Sequence, residues 1–235
     1  GYGAKLANIF STRFTVDTRC PASGKQYVQT WRTNMSICEK PTVRKVSSSK
    51  GHVRIEFYPD TSRFIGGAFA PDGTISADML SVLHTRTMEL AAMVGTDVKV
   101  TWNGAACGVT SFEKYIKLFL KDSAQTGSHV FEECGERWQV GAVLTASLYL
   151  DEDGATSIPD ERHVSFVNGI LTRKGGKHVD YCTRHVLGDF CDAAAKKKVD
   201  VKPGQIKDAV VLFINATIVN PAFDSQTKEC LTTPA

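Results

Sequence analysis

The most constraining feature of this 235-residue chain is a strand, helix and strand pattern in its second half. Residues 163–167 form a short apolar run, and residues 210–219 form a longer one that is rich in β-branched side chains. Between them, apolar residues recur at helical spacing: Val179, Cys182, Val186, Phe190 and Ala194. Two parallel strands need a crossover of this kind. The pattern therefore predicts a βαβ unit within layered α/β structure.

The first half also alternates between strand and helix patterns. Three short strands are predicted at residues 14–17, 27–31 and 53–57, separated by proline and glycine turns. Apolar residues then trace a helix that Gly95 closes: Met79, Val82, Leu83, Leu90, Met93 and Val94. A helix is also predicted at residues 5–10, and a strand at 98–102.

From Asn103 to Gly108 the residues are small and typical of turns, and we expect a domain boundary there. The predicted domains are therefore residues 1–103 and 104–235. The second begins with a helix at residues 112–120 and a strand at 138–150.

Several classes of protein are disfavoured by composition. No stretch approaches the ~20 apolar residues of a membrane helix, and no signal sequence opens the chain. The seven cysteines are odd in number and scattered, which favours reduced thiols over a zinc site or disulfides. We therefore expect a soluble, intracellular protein. The net charge of +3 does not by itself indicate nucleic-acid binding.

The motif GYGAKL at residues 1–6 combines spaced glycines with a lysine at the start of a helical pattern. Gly1 and Gly3 allow close backbone approach to an oxyanion, and Lys5 adds a point charge. The alternative explanation of this motif is a glycine hinge beside a solvated lysine.

A second polar motif, NPAFDSQTKE, occupies residues 220–229. Pro221 ends the preceding strand, and Gln226 and Lys228 offer an amide donor and an ammonium at a loop tip. An ordinary surface loop is the alternative.

Two further groups have competing interpretations. Lys196, Lys197 and Lys198 end the long helix, where they can offset the helix dipole or contact a phosphate backbone. His178 and Asp180 follow a Gly-Gly pair and could form an acid/base or metal site, but a tight turn opening a helix is the simpler explanation.

Taken together, these motifs resemble the ATPase region of eukaryotic and large-DNA-virus type IIA DNA topoisomerases. The resemblance runs nearly end to end, through GYGAKL, IFSTRFTV, FYPD at residues 57–60, SFVNGILTRKGGKHVDY at 165–181 and INATIVNPAFDSQTKE at 214–229. The last two segments are the most specific.

The resemblance implies a fold and a set of contacts. Residues 1–103 would be the C-terminal part of a GHKL (Bergerat) α/β sandwich, starting in the ATP lid, and residues 104–235 a transducer domain with a ribosomal-protein-like βαβ unit. The triphosphate would contact Gly1, Tyr2, Gly3, Ala4 and Lys5, and Gln226 and Lys228 would reach the γ-phosphate from the transducer. Lys228 would also stabilise the transition state, and Lys196, Lys197 and Lys198 would contact DNA.

The family function that these residues imply is coupling of ATP binding and hydrolysis to closure of a dimer clamp, the N-gate, around double-stranded DNA. The expected cofactors are ATP and Mg²⁺, and the expected partners are DNA and a second copy of the chain, without a membrane. The expected location is the nucleus, or the host cytoplasm or virion for a viral enzyme.

Two departures from the family pattern matter. Val53 occupies a position where the family usually has a threonine that supports adenine recognition, so base recognition is expected to differ. The general-base glutamate and the magnesium-binding asparagine belong to segments upstream of Gly1. We therefore expect a fragment that does not hydrolyse ATP by itself and that contains no metal ligand.

Two other function classes stay open at this level. One is a different GHKL ATPase, in mismatch repair or a chaperone, which would share the lid but not the SFVN and QTKE segments. The other is a non-enzymatic DNA-binding module in which only the lysines matter.

Overall fold

The computed structural model describes residues 2–47, 50–122, 127, 129–149, 158 and 162–234. The chain divides into two compact units, Gly1–Leu83 and His84–Ala235. The division falls inside a helix, α2, whose bounds are given below.

The first unit is built on an antiparallel sheet. Its elements are α1 (Tyr2–Ile9), β1 (Ser11–Cys20), β2 (Lys25–Arg32), β3 (Ile37–Cys38), β4 (Thr42–Lys45), β5 (His52–Pro59) and the first part of α2 (Ala77–Val94). The strand order is β3-β2-β1-β5, and β4 also pairs with β2. The three strands predicted here are confirmed as β1, β2 and β5, each longer than its apolar run.

The two faces of this sheet differ in polarity. Direct pairing places Phe57, Ile55 and Val53 of β5 opposite Phe14, Val16 and Thr18 of β1, on one face. Phe14 is buried against the rings of Trp31 and Phe57. Val53, Ile55 and Phe57 nevertheless remain 75%, 48% and 49% exposed. The sheet thus presents an apolar face that is only partly covered.

The second unit contains a mixed sheet between two helical layers. Its elements are β6 (Thr101–Trp102), β7 (Ala105–Ala106), α3 (Phe112–Lys117), β8 (His129–Cys134), β9 (Trp138–Leu144), β10 (His163–Val167), β11 (Ile170–Leu171), α4 (Lys177–Lys196), α5 (Pro203–Ala209) and β12 (Val210–Ala216). The large sheet has the order β11-β10-β12-β9-β8. Strands β10 and β12 are parallel, so the βαβ prediction is confirmed.

Both faces of this sheet are packed. On one face, Phe166 and Phe213 meet Phe112 and Ile116 of α3, and all four are fully buried. On the other, Leu212, Ile214 and Ala216 meet Cys182 of α4. The serine that precedes α3, Ser111, caps it by accepting a hydrogen bond from the Lys114 N–H at 3.1 Å. The mixed α/β class predicted from the sequence is therefore confirmed.

Several predicted boundaries are wrong. Helix α1 begins at Tyr2 rather than residue 5 and ends before Phe10, where the Ser11 hydroxyl donates to the Ala7 carbonyl. The strand predicted at 98–102 shrinks to β6, and the last strand ends at Ala216.

The strand predicted at residues 138–150 is also too long. It ends at Leu144, and a 3₁₀ turn at Thr145–Ser147 then directs Leu148 into the core, where it is 1% exposed. Leu150 lies outside the described residues. Burial of one leucine thus ends the strand earlier than its apolar composition indicates.

Candidate functional site

The first candidate phosphate contact is the start of α1. Tyr2, Gly3, Ala4 and Lys5 form its first turn and are all exposed, whereas Gly1 lies outside the described residues. Tyr2 to Ala4, which precede the helix predicted at residues 5–10, are therefore helical as well. A Cβ atom added to Gly3 would meet nothing within 4 Å. The first N–H groups of a helix lack intrahelical acceptors, so this open turn with Lys5 suits an anion.

The far end of α1 is tied to the sheet by two polar residues. The Asn34 amide donates to the Ile9 carbonyl at 3.0 Å and to Asp60 Oδ2 at 3.1 Å. The Asp60 N–H in turn donates to the Phe10 carbonyl at 2.8 Å. Hydrogen bonds from Ser62 and then Arg63 hold the pKa of Asp60 below its ordinary value. Asp60 therefore stays ionised and fixes the helix that carries Lys5.

Sequence reasoning identified FYPD as a family motif but did not recognise this anchoring role. The position of Asp60, directly after a strand, was the available signal. The asparagine itself was a second signal, and the structure places Asn34 in a turn with a φ of 55°. Asparagine tolerates that left-handed conformation better than most residues.

The second candidate contact, Lys228, lies in a tight polar loop. Its N–H donates to the Ser225 carbonyl at 3.1 Å, and the Ser225 and Thr227 hydroxyls are 2.8 Å apart. The Lys228 backbone has a φ of 58°, a conformation that costs a non-glycine residue about 1–2 kcal/mol. Its ammonium lies 5.8 Å from the centroid of the Phe223 ring. Gln226 is exposed beside it.

This loop is docked onto the Gly-Gly turn that precedes α4. The Leu231 N–H donates to the Gly175 carbonyl at 3.0 Å, and the Leu231 carbonyl accepts from the Lys177 N–H at 3.0 Å. Gly176 has a φ of 122°, and a Cβ atom there would collide with the Leu231 carbonyl oxygen. The turn must therefore carry glycine at this position for the loop to dock.

An ion pair adds to this attachment. Lys174 Nζ lies 2.8 Å from Glu229 Oε2, and the Lys174 N–H donates to the Glu229 carbonyl at 2.9 Å. The hydrogen bond and the charge of Glu229 raise the pKa of Lys174. The residue after Lys228 is thus held by side chain and backbone together.

A buried chain of hydrogen bonds supports the same turn. Thr172 Oγ1 donates to the Ser165 carbonyl at 2.9 Å and lies 3.1 Å from His178 Nε2. His178 Nδ1 is buried without a hydrogen-bond partner among the described residues, which favours the tautomer that carries the proton on Nε2 and donates it to Thr172. Burial, reinforced by His163, lowers the pKa of His178 to about 4. These contacts favour a structural role for His178, as predicted, while Asp180 is exposed.

The lysine run ends α4. Lys196 is the last helical residue, and the Lys198 and Val199 N–H groups close the end on the Ala195 and Ala194 carbonyls at 2.9 and 3.0 Å. This is a Schellman motif with lysine, at a φ of 58°, where glycine is usual. All three lysines are exposed. They can interact both with the helix dipole and with an external anion.

The structure therefore groups the predicted site residues into two sets. Lys5 and its neighbours belong to the first unit, while Gln226, Lys228 and the lysine run belong to the second. Convergence of Lys5 and Lys228 on one ligand stays a prediction. Val53 lies on β5 with its side chain exposed, and its effect on base recognition also stays a prediction.

Two features are absent from the described part of the chain. Among those residues, no group of three or more histidine, cysteine, aspartate or glutamate side chains is placed to hold a metal ion. No helix there combines the length and apolar character that crossing a membrane requires.

Comparison with known families decides where the chain belongs. The family model described as DNA gyrase B matches residues 111–235, more than half of the chain. The chain belongs to the DNA gyrase B family.

Curated relatives of this gyrase B family member extend the match to its whole length. DNA topoisomerase 2 of Candida glabrata is 36% identical over 99% of the chain, and DNA topoisomerase 2-beta of Homo sapiens is 38% identical over 99%. The chain covers only 16% and 14% of these two relatives. The aligned region is therefore a small part of the relatives' length.

Solved structures agree in fold. The ATPase region of Saccharomyces cerevisiae topoisomerase II superposes with a TM-score of 0.80 at 35% identity, covering 99% of this chain and 55% of that one. The ATPase and transducer domains of topoisomerase II from Balamuthia mandrillaris superpose with a TM-score of 0.75 at 33% identity, with coverage of 99% and 55%. The resemblance stated from the sequence is confirmed, together with the mixed α/β fold class.

Proposed function

We propose that this chain is part of an ATP-dependent type II DNA topoisomerase and provides both the lid and the transducer contacts to the ATP phosphates. The similarity to topoisomerase II ATPase regions over 99% of the chain supports this most directly. The chain spans about a seventh of the curated relatives it matches, so the activity of the whole enzyme is part of the proposal. The relatives reported above are named topoisomerases, and nothing observed favours a repair ATPase, a chaperone or a non-enzymatic module.

The domain assignment belongs to the same proposal. Residues 1–103 would be the C-terminal part of the GHKL domain, and residues 104–235 the transducer. The partly exposed apolar face of the first sheet supports the first assignment, because Val53, Ile55 and Phe57 are what a missing covering layer would bury.

In this proposal the phosphates lie between two cationic groups. The first turn of α1, with Tyr2, Gly3, Ala4 and Lys5, provides backbone N–H donors and an ammonium. Gly1, which lies outside the described residues, would contact the same phosphates. The open space around Gly3 and the exposure of Lys5 fit an oxyanion there. Gln226 and Lys228 would approach the terminal phosphate from the opposite side.

The attachment of the Lys228 loop would couple the state of the nucleotide to the position of the second unit. A charge-assisted hydrogen bond contributes about 1.5–3 kcal/mol. Loss of the γ-phosphate would therefore change the closed population by about ten- to a hundredfold. Because the loop is fixed to the start of α4 through Leu231 and Glu229, that change acts on the βαβ unit rather than on a free loop. The same ammonium would stabilise charge on the transferring phosphoryl group.

We also propose a metal ion, partners and a location for the whole enzyme. Mg²⁺ would accompany the ATP phosphates, and among the described residues no group of three or more histidine, cysteine, aspartate or glutamate side chains is placed to hold it. We infer a homodimer that closes through the N-gate on double-stranded DNA, and a nuclear location, or the host cytoplasm or virion for a viral enzyme.

Replacing Lys228 tests the nucleotide role in the full-length enzyme that the proposal implies. Lys228→Ala should lower ATP turnover by about ten- to a hundredfold, since one charge-assisted hydrogen bond is lost. Lys99→Ala, at an exposed lysine of the same unit, is the matched control. Unchanged turnover in the Lys228 variant would reject the proposed role.

The lysine run is tested by the salt dependence of duplex DNA binding. Each lost phosphate contact should reduce the slope of log affinity against log salt by about 0.9. Replacing Lys196, Lys197 and Lys198 together with alanine should therefore reduce it by up to about 3. A control with three exposed lysines elsewhere replaced, Lys40, Lys99 and Lys121, should retain the slope. An unchanged slope in the run variant would favour a dipole role for these lysines, and equal loss in both variants would indicate general charge attraction; either result would reject the proposed contact.

A further inference from the structure

A groove of about 570 Å³ lies between the β8–β9 hairpin and α4 in the second unit. None of its lining residues belongs to the proposed ATP or DNA contacts. Val130, Glu132 and Cys134 of β8 alternate along one face of that strand, and β9 adds Trp138, Val140 and Ala142 opposite them. Helix α4 provides the other wall.

Aromatic rings form one end of this groove. The Trp138 and Tyr181 ring centroids are 5.9 Å apart, and those of Tyr181 and His185 are 4.5 Å apart. Tyr181 is 43% exposed, so part of its ring is open to solvent. Ring faces of tryptophan and tyrosine attract ammonium and guanidinium groups, more strongly where water is partly excluded.

The charge of the groove is all of one sign. Tyr181, His185 and Asp189 lie four residues apart on one face of α4, so the carboxylate follows the rings. Glu132 pairs with Val140, which places it diagonally across the strands from Trp138. None of the described residues that line the groove is a lysine or arginine, although the chain carries 28 of them.

These two carboxylates are also available. Within the part of the chain that the structure describes, neither Glu132 nor Asp189 has an ion-pair partner within 4.0 Å. Both are exposed, so they can meet an approaching cation without displacing an internal partner.

We propose that this groove binds a lysine- or arginine-rich peptide segment of a partner protein. One cationic head group lies on the rings of Trp138 and Tyr181, between the carboxylates of Glu132 and Asp189. The apolar walls accept the aliphatic stem of the same side chain. Strand β8 is the last strand of the sheet, and edge strands can pair with an extended peptide backbone. This complementarity selects a basic peptide over DNA, which the carboxylates repel.

The test measures binding of a fluorescent ten-residue peptide of alternating lysine and alanine to the 235-residue chain. Binding should saturate, and the indole N–H signal of Trp138 should shift in ¹H–¹⁵N spectra. The same peptide with glutamate in place of lysine should not bind. Saturable binding of the acidic peptide, or a Trp138 signal that does not move, would overturn the proposal.

Matched variants distinguish the groove from general charge attraction. Glu132→Gln with Asp189→Asn should weaken binding about tenfold or more, and Tyr181→Leu, which keeps apolar bulk, about fivefold. Glu136→Gln with Asp192→Asn removes two exposed carboxylates that do not line the groove. Equal weakening in this control, or no weakening in the groove variants, would contradict the site.

A competition experiment distinguishes binding of a peptide from binding of any small cation. Free lysine ethyl ester should compete only at concentrations at least a hundredfold above the peptide, because it lacks the backbone and repeated charges. Competition at equal concentration would overturn the peptide assignment. Circular dichroism of each variant confirms that the fold is retained, so that a loss of binding is assigned to the groove.

Discussion

The two sheets of this molecule differ in how completely their apolar side chains are buried. Every residue of β10 in the second unit is buried, and helices pack against both faces of that sheet. In the first unit, β5 exposes Val53, Ile55 and Phe57 on the face that also carries Phe14. The second unit thus completes its own core, whereas the first presents apolar surface that another layer can bury.

The same contrast separates the two sets of candidate site residues. Lys228 lies on a loop fixed by the buried Leu231 and the Gly175–Gly176 turn. Lys5 lies on a short exposed helix whose far end is held by Asn34 and Asp60. The Lys228 loop is therefore held along its own length, whereas α1 is held at one end and leaves the turn that carries Lys5 open to solvent.

The largest expected difference concerns the cores. Phe166→Ala removes a fully buried ring that contacts Phe112 and Tyr115, and should lower the free energy of unfolding of the second unit by about 3–5 kcal/mol. Phe57→Ala should cost about 1 kcal/mol in this chain, because the ring is half exposed. Denaturant titrations followed by circular dichroism measure both. Equal losses of unfolding free energy in the two variants would contradict the difference in burial between the two units.

Acid should weaken the second unit through His178. Its pKa is about 4 in the folded chain against an ordinary value of 6.5. As the pH falls from 6.5 to 4, the unfolded state binds this proton first, so the free energy of unfolding decreases by up to about 3 kcal/mol. The contribution is fully present above pH 6.5.

His178→Gln should therefore flatten the acid side of the stability curve. Glutamine retains a donor for Thr172 but does not titrate. His185→Gln, on the same helix, is the control for loss of an imidazole. Unfolding titrations between pH 4 and 7 measure the slopes, and an unchanged slope in His178→Gln would show that another group causes the acid sensitivity.

Relief of backbone strain at the end of α4 should have a smaller effect. Lys198→Gly places glycine in the left-handed position of the Schellman motif and should stabilise the second unit by about 1 kcal/mol. Lys198→Ala removes the same charge without this relief. Thermal melts of both variants give the comparison, and equal melting temperatures would argue against strain at Lys198.

The smallest expected effect is local to α1. Asn34→Gly permits the same backbone conformation but removes the amide that donates to Ile9 and Asp60. Two lost hydrogen bonds near the surface, at about 0.5 kcal/mol each, correspond to about 1 kcal/mol, or about fivefold faster amide exchange in α1. Hydrogen-exchange mass spectrometry measures it, with α4 as the internal reference. Faster exchange in α4 as well would mean that Asn34 supports more than α1.

Much of the second unit was predictable because its pattern is strong. A helix of 20 residues between two apolar strands leaves few alternatives, and β10, α4 and β12 were all found. Strand β8 was missed because HVFEEC carries its charged residues on an exposed edge. Helix α5 was missed because seven residues that begin with Pro203 give little periodicity.

The residues of the candidate site could be predicted from the sequence, but the tertiary contacts that hold them in place could not. Family motifs indicated Lys5 and Lys228, yet the contact of Gly176 with Leu231 joins segments 55 residues apart, which spacing alone does not reveal. The roles of Asn34 and Asp60 likewise depend on a turn that brings distant backbone groups together. Such tertiary hydrogen bonds leave little local pattern in a single sequence.

The central claim is that Lys5 and Lys228 contact the same nucleotide phosphates. An ATP acyl-phosphate probe, which transfers its acyl group to lysines beside the terminal phosphates, tests it in the full-length enzyme. The account predicts that peptides containing Lys5 and Lys228 are both acylated, and that excess ATP protects both. Labelling of only one of them, or labelling no stronger than at the exposed Lys99, would contradict it.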